Sequence, residues 1–193
     1  MVTLNRIYTR TGDKGQTRLS TGETVRKDSV RVDAYGAVDE TNSCLGLARL
    51  YTGDDPQLDA MLGRIQNELF DLGAYLATPD RGKDLGWTPL RILADQVERL
   101  EREIDRLNAE LSALESFILP AGSAASAHLH LARTVCRRAE RVAVTLAATE
   151  GEAVSEPALK CLNRLSDFLF VAARWANGKC GAEVLWEPGA TRG

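Results

Sequence analysis

The stretch LDAMLGRIQNELFDLGAYL, residues 58–76, decides the fold class. Leu58, Met61, Leu62, Ile65, Leu69, Leu72 and Leu76 recur at steps of three and four, so a helix brings all of them to one face. Working outward, Leu93, Val97, Leu100, Ile104, Leu107, Leu111 and Leu114 form a second seam at alternating four and three. Leu159, Leu162, Leu165, Leu169 and Ala173 form a third. Pro56 after Asp55, Pro89 after Thr88, and Pro157 shortly after Ser155 read as helix entries, with a capping oxygen ahead of a proline in the first turn. The pattern predicts five helices, at about 29–51, 57–77, 89–109, 122–149 and 156–177. Their connections suit an all-α, up-and-down bundle. Strand-like alternation is short and confined to the ends, as at Val184–Trp186.

Composition narrows the function. The 193 residues suit one domain with a sizeable core, divided into an N-terminal segment (1–28), a bundle (29–180) and a tail (181–193). A net charge of −3 argues against a dedicated nucleic-acid binder. No apolar run approaches the roughly 18 residues of a membrane span, and MVTLNRIYTRTGDKG meets charge and glycine too early for a secretory signal. Cys44, Cys136, Cys161 and Cys180 are scattered, as expected of reduced thiols in a cytoplasmic protein. With only His128 and His130, a His-rich metal site is nearly excluded, and His130 reads as a satisfied core histidine.

Three places carry polar chemistry. Thr9-Arg10-Thr11-Gly12-Asp13-Lys14-Gly15-Gln16-Thr17 packs two glycines, three hydroxyls and two cations into nine residues. Glycines let backbone N–H groups converge on an anion, and hydroxyls and cations add donors at the rim. The P-loop spacing is absent, and a solvated glycine turn is an equal reading of the composition. Lys27 either joins this site or begins the first helix. In the fourth predicted helix Arg133, Arg137 and Arg141 are spaced by four, and Arg133, Arg137 and Glu140 share a face. Such a row clamps a polyphosphate, or else forms a solvated stripe of ion pairs. Arg133 sits among apolar neighbours and therefore needs a partner or ligand. Asp39, in a small and apolar stretch of the first helix, is its candidate carboxylate unless Asp39 and Glu40 are simply exposed. Asn163 is an isolated amide able to meet a nucleotide, and Phe117, in an apolar hinge, is by default a core residue.

Taken in order along the chain, seven segments resemble the PduO-type ATP:corrinoid adenosyltransferases. They are Ile7–Thr17, Tyr35–Glu40 with Asn42-Ser43, Ile65–Gly73, Phe117–Pro120, Leu129–Thr134, Arg137–Arg141 and Leu162–Asp167. Two departures stand out: Thr41 where the family usually has Leu, and Ala121 where a second Gly is usual. The resemblance implies a ferritin-like five-helix bundle, assembled as a homotrimer with active sites between subunits. It implies that Thr9, Arg10, Thr11, Gly12, Asp13, Gly15, Thr17, Arg18 and Lys27 contact ATP. Arg137, Arg138, Glu140, Arg141 and Asn163 would complete that site from the neighbouring subunit. Mg²⁺ would ride mainly on the ATP phosphates, with Glu140 the single candidate protein carboxylate. Asp39 and Arg133 match an interface salt bridge supporting the cobalamin pocket, and Phe117 matches the aromatic residue on the lower axial side of the corrin. Arg137, Phe117, Asp39 and Arg133 are thus the expected catalytic set. The implied reaction moves the 5′-deoxyadenosyl group of ATP to cob(I)alamin, reached through four-coordinate cob(II)alamin with a reductase as electron donor, and releases triphosphate. A nucleotide sensor, a ferritin-like carboxylate metal bundle and an RNA-binding helix are the rivals. Phe117, the lack of a Glu three residues before either histidine, and the negative charge respectively disfavour them.

Overall fold

A computed structural model describes residues 8–178 and 183–192; Cys180, Ile7 and the boundary expected at 180/181 lie outside them. Five helices carry the structure: α1 (Val30–Arg49), α2 (Pro56–Leu76), α3 (Ala94–Asn108), α4 (Ala124–Ala147) and α5 (Glu156–Gly178). Ahead of them, β1 (Gln16–Arg18) and β2 (Thr24–Arg26) form an antiparallel hairpin in which Thr17 lies opposite Val25.

The helix ends follow from local chemistry. Asp55 accepts a hydrogen bond from the Leu58 amide (3.2 Å) with Pro56 next in line, the entry expected for α2. Ser123 caps α4 through the Ser126 amide (3.2 Å). The third helix departs from expectation, starting at Ala94 and not at Pro89. The Thr88 hydroxyl makes no capping hydrogen bond among the described residues; the Leu93 amide donates to the Gln96 side chain (2.8 Å) and closes the first turn five residues later. The displaced segment stays extended and puts Ile92 into the core. Leu93 therefore falls just before α3, and Leu111 and Leu114 lie beyond its end at Asn108; of the expected seam α3 buries Val97, Leu100 and Leu107.

Cross-helix contacts fix the directions. Asn42 and Gln66 exchange side-chain to backbone hydrogen bonds (3.1 and 3.2 Å), and Arg49 pairs with Asp59 (2.7 Å), so α1 and α2 are antiparallel. Arg64 meets Glu103 and Arg99 meets Glu68, which reverses α3 on α2. The Cys136 thiol donates to the Leu162 carbonyl and Asn177 holds the start of α4 at Ser123, reversing α5 on α4. Arg31 meets Glu152 at one end of the α1–α4 pair, and Tyr51 stacks on His128 (5.1 Å) at the other. The bundle is up-and-down throughout, as the sequence predicts. Every apolar residue that defined the α2 face is buried, and the α1–α4 seam is lined by small residues, Ala34, Ala37, Ala132, Ala139 and Ala143. Small side chains let the two helix axes approach closely.

This topology sorts the loops between two ends. One end gathers the hairpin and the 77–93 and 148–155 connections. The other gathers 50–55, 109–123 and the tail, whose Leu185 bridges to Ile118. No described helix is long and apolar enough to cross a membrane.

Candidate functional site

At the hairpin end, Thr9, Arg10, Thr11, Gly12, Asp13, Thr17, Arg18 and Lys27 line one cavity of about 760 Å³, with Tyr8, Gln16 and Thr24. Its size is that of a small-molecule site. Several backbone devices shape it. Gly15 has φ +77°, and its amide turns back onto the Gly12 carbonyl (3.2 Å). Arg10 has φ +63°, a conformation that costs a side-chain-bearing residue about 1–3 kcal/mol and clusters at functional loops. Gly12 is needed for space: a Cβ there would meet Lys27 Nζ at 3.0 Å and the Gln16 carbonyl at 3.2 Å. Lys27 thus belongs to this cavity and precedes α1. The Thr9 and Thr11 hydroxyls are 2.8 Å apart. Arg26 is removed from the set by Asp28 (2.8 Å), whereas Arg18 and Lys27 make no ion pair among the described residues. On the α1 side, Thr17 contacts the Tyr35 hydroxyl, whose pKa is raised by burial and partly restored by that contact.

A slightly larger cavity, about 800 Å³, opens behind the hairpin turn, between Thr21–Glu23 and the 78–91 loop. Some of its polar groups are matched, while Thr21 Oγ1 is buried with no hydrogen-bond partner and Lys83 makes no ion pair among the described residues. Asp80 and Asp84 accept from Gly82 and Gly86 amides (2.9 Å each), and Arg81 is held by Glu23 and Glu152. The smaller cavity differs in grouping Arg10, Arg18 and Lys27 around the turn at Gly12 and Gly15.

The arginine row of α4 divides by environment. Arg138 pairs with Glu40, and that carboxylate raises its pKa, so it is engaged within the chain. Arg137 is exposed with no ion pair among the described residues, and Arg141 reaches only the Arg137 carbonyl (3.0 Å). Arg133 is half-buried, and its Nε has no hydrogen-bond partner among the described residues. Burial, then the charge of Arg137, lowers its pKa. Asp39 is exposed and makes no pair with Arg133 within the chain. Glu140 and Asn163 are brought together: the Asn163 amide donates to Glu140 (2.9 Å), and Arg164 in turn donates to Asn163 (2.6 Å). Glu140 lies on the same helix, three residues after Arg137. No cluster of three His, Cys, Asp or Glu able to hold a metal occurs among the described residues.

At the opposite end the Phe117 ring is 76% exposed and not a core residue. The tail runs antiparallel beside it: the Leu119 amide donates to the Val184 carbonyl (2.8 Å) and the Trp186 amide to the Phe117 carbonyl (2.7 Å). Their rings are tilted at 6.1 Å. Trp186 was not among the residues expected at the site, although it ends the short strand pattern that was visible. Its pairing partner Phe117, 69 positions earlier in the chain, was not. His130, expected to be satisfied, is buried with neither ring nitrogen hydrogen-bonded among the described residues; burial, then Arg133, pushes its pKa down to about 4.

A family model described as cobalamin adenosyltransferase matches residues 7–176. The corrinoid adenosyltransferase of Mycobacterium leprae is 47% identical over 188 residues, covering 96% of this chain and 97% of that protein. The Bacillus subtilis corrinoid adenosyltransferase is 46% identical over 189 residues, covering 96% and 94%. Among solved structures, a variant PduO-type ATP:corrinoid adenosyltransferase from Lactobacillus reuteri, complexed with cobalamin and ATP, superposes with a TM-score of 0.87 at 38% identity, covering 95% of this chain and 97% of that one.

Proposed function

The chain belongs to the cobalamin adenosyltransferase family, and from that premise we propose that it moves the 5′-deoxyadenosyl group of ATP to cob(I)alamin and releases triphosphate. The observation that carries this reading is the polarity of the bundle. A glycine- and cation-lined cavity sits at one end, an exposed Phe117–Trp186 pair at the other, and Arg133, Arg137 and Arg141 run between them along about 12 Å of α4. A phosphate chain suits the first end, and a broad apolar macrocycle suits the second.

In this reading the triphosphate lies against Thr9, Thr11, Gly12, Thr17, Arg18 and Lys27. Arg137, Arg141, Glu140 and Asn163 close over it from a neighbouring copy of the chain. Glu140, oriented by the Asn163 amide, would be the protein carboxylate available to a Mg²⁺ carried on the phosphates, which would supply charge neutralisation at the leaving group. Cobalt attacks the ribose 5′ carbon as a nucleophile that carries no proton, so no general base is required. The protein contributes in-line placement and stabilisation of the departing triphosphate by fixed cations. Phe117 takes the lower axial side of the corrin and keeps the dimethylbenzimidazole off cobalt. Four-coordinate cob(II)alamin is then easier to reduce with an electron from a separate reductase. The half-buried, unpaired Arg133 calls for a carboxylate from outside its own chain, and the exposed Asp39 of a second subunit in a homotrimer answers it. The free thiols Cys44, Cys136 and Cys161 suit a reducing cytoplasm.

The test is a spectrophotometric assay of the purified protein with chemically reduced cobalamin and Mg·ATP. Formation of adenosylcobalamin, lost in Arg137→Ala, is the expected result. Binding of ATP without adenosylation would leave a nucleotide sensor and overturn the proposal.

A further inference from the structure

Beside residues 8–13, the nucleotide cavity is walled by two further pieces of chain, and both are anchored by charges that lie outside it. The hairpin supplies Thr17, Arg18 and Thr24; Lys27, just before α1, supplies the facing cation. At the hairpin turn, Glu23 accepts from Arg81 Nε (3.3 Å). The remaining nitrogens of Arg81 donate to both carboxylate oxygens of Glu152 (3.2 and 3.1 Å) and to the Gly151 carbonyl (2.7 Å). Glu152 accepts a second guanidinium from the other side, through Arg31 Nε (3.1 Å) and Nη2. Arg31 lies in the first turn of α1, four residues after Lys27. It is 3% exposed, and its third contact is the Leu76 carbonyl at the end of α2 (2.6 Å). The Ser20 amide, beside the turn, donates to the neighbouring Ala77 carbonyl (3.0 Å).

One carboxylate, Glu152, therefore holds both walls: the hairpin through Arg81 and Glu23, and the approach to α1 through Arg31. We infer that Arg81 and Glu152 are positioning residues for ATP, setting the gap between the hairpin wall and Lys27 from outside the cavity. This rests on the reading of the hairpin cavity as the nucleotide site. Neither residue lines that cavity, so neither touches the nucleotide. The Arg81–Glu23 bridge is partly exposed, with about a third of each side chain accessible. Bridges of that kind add little to global stability, so the structural and positioning roles separate experimentally.

The experiment uses the full chain with Arg81→Ala, Arg81→Lys and Glu23→Ala. ATP affinity is measured by calorimetry with Mg·ATP, beside KM for each substrate, kcat and the melting temperature. Arg81→Ala should weaken ATP binding about tenfold, within the range that couplings between contacting residues span. KM for ATP should follow, while kcat and KM for cobalamin stay near wild type. Arg81→Lys should recover part of the loss. Glu23→Ala, at the exposed end, should weaken ATP less, and combining it with Arg81→Ala should add nothing further. An unchanged ATP affinity in Arg81→Ala, whatever the melting temperature does, overturns the inference; so does equal loss for ATP and cobalamin. If Arg81→Ala does not fold, unchanged affinity in Glu23→Ala overturns it as well. The binding comparison needs no corrin. A wild type that binds ATP and fails to adenosylate cobalamin would sink the transferase reading, yet a lost affinity in Arg81→Ala would still support the positioning role.

Discussion

The hairpin end and the Phe117 end of the same bundle solve opposite problems. At the hairpin end the chain bends through glycines and one strained arginine so that hydroxyls, amides and two unpaired cations face a common space. Its supporting charges are paired behind it, Arg31 and Arg81 on Glu152. At the other end the local backbone is simple, a single antiparallel bridge, and the distinctive feature is apolar surface left open. An anion needs many convergent donors fixed at once, whereas a flat apolar ligand needs only an aromatic side chain held by its own backbone. Under the proposed function, the contrast teaches that nucleotide binding would depend on a network, and corrin binding on a few side chains.

Several substitutions break or sharpen that contrast. The largest effect is expected from Arg137→Ala, which removes an exposed cation of the α4 row between the two ends. It should lower kcat/KM by the equivalent of about 2–4 kcal/mol, as loss of one transition-state donor does. A loss confined to KM for cobalamin would move Arg137 to the corrin side. Next comes Glu152→Gln, which should cost about 1.5–3 kcal/mol of stability, the value of hydrogen bonds to a charged group. Burial pushes the Glu152 carboxyl up, but hydrogen bonds and charge from Arg31 and Arg81 outweigh it and hold the pKa below the usual carboxylate range. Its contribution is therefore complete above the ordinary carboxylate pKa and disappears as pH falls through the depressed folded value. Urea midpoints of wild type and variant should differ at pH 7 and converge in acid; a constant gap would show that charge is irrelevant there.

Smaller effects follow at each end. Phe117→Ala should reduce adenosylation that starts from cob(II)alamin about tenfold, or about 1.4 kcal/mol of barrier, without changing ATP affinity by calorimetry. An equal loss with pre-reduced cob(I)alamin would argue against a role in reduction. Gly12→Ala should act least, because the atom it meets first is the end of the flexible Lys27 side chain. A rise in KM for ATP worth about 1 kcal/mol is expected, of the size of modest overpacking, with KM for cobalamin unchanged.

The helices were open to reading because a 3.6-residue period leaves its mark locally, and the α2 face came out buried residue by residue. The start of α3 was not, since Thr88-Pro89 looks like a helix entry and only the burial of Ile92 explains why the chain delays it. The hairpin escaped because three-residue strands carry almost no periodicity. Composition located the polar segment around Gly12 and the α4 arginines. It did not separate Arg138, taken up by Glu40 98 positions away, from Arg137, which is exposed. Nor did it mark Glu152, whose role depends on Arg31, 121 positions away. Phe117 was expected in the core on residue type alone, and its exposure comes from the strand-like loop and tail that present it.

The claim that joins both ends is that each active site combines the hairpin cavity of one chain with the α4 arginines of another. It is tested most directly by co-expressing Lys27→Ala and Arg137→Ala chains with different affinity tags, isolating oligomers that carry both tags, and assaying adenosylcobalamin formation. Each variant alone should be nearly inactive, and the mixed oligomers should regain activity well above the mean of the two, because some sites then pair an intact cavity with an intact arginine row. Mixed oligomers no more active than that mean, or the absence of any doubly tagged species, would contradict the account.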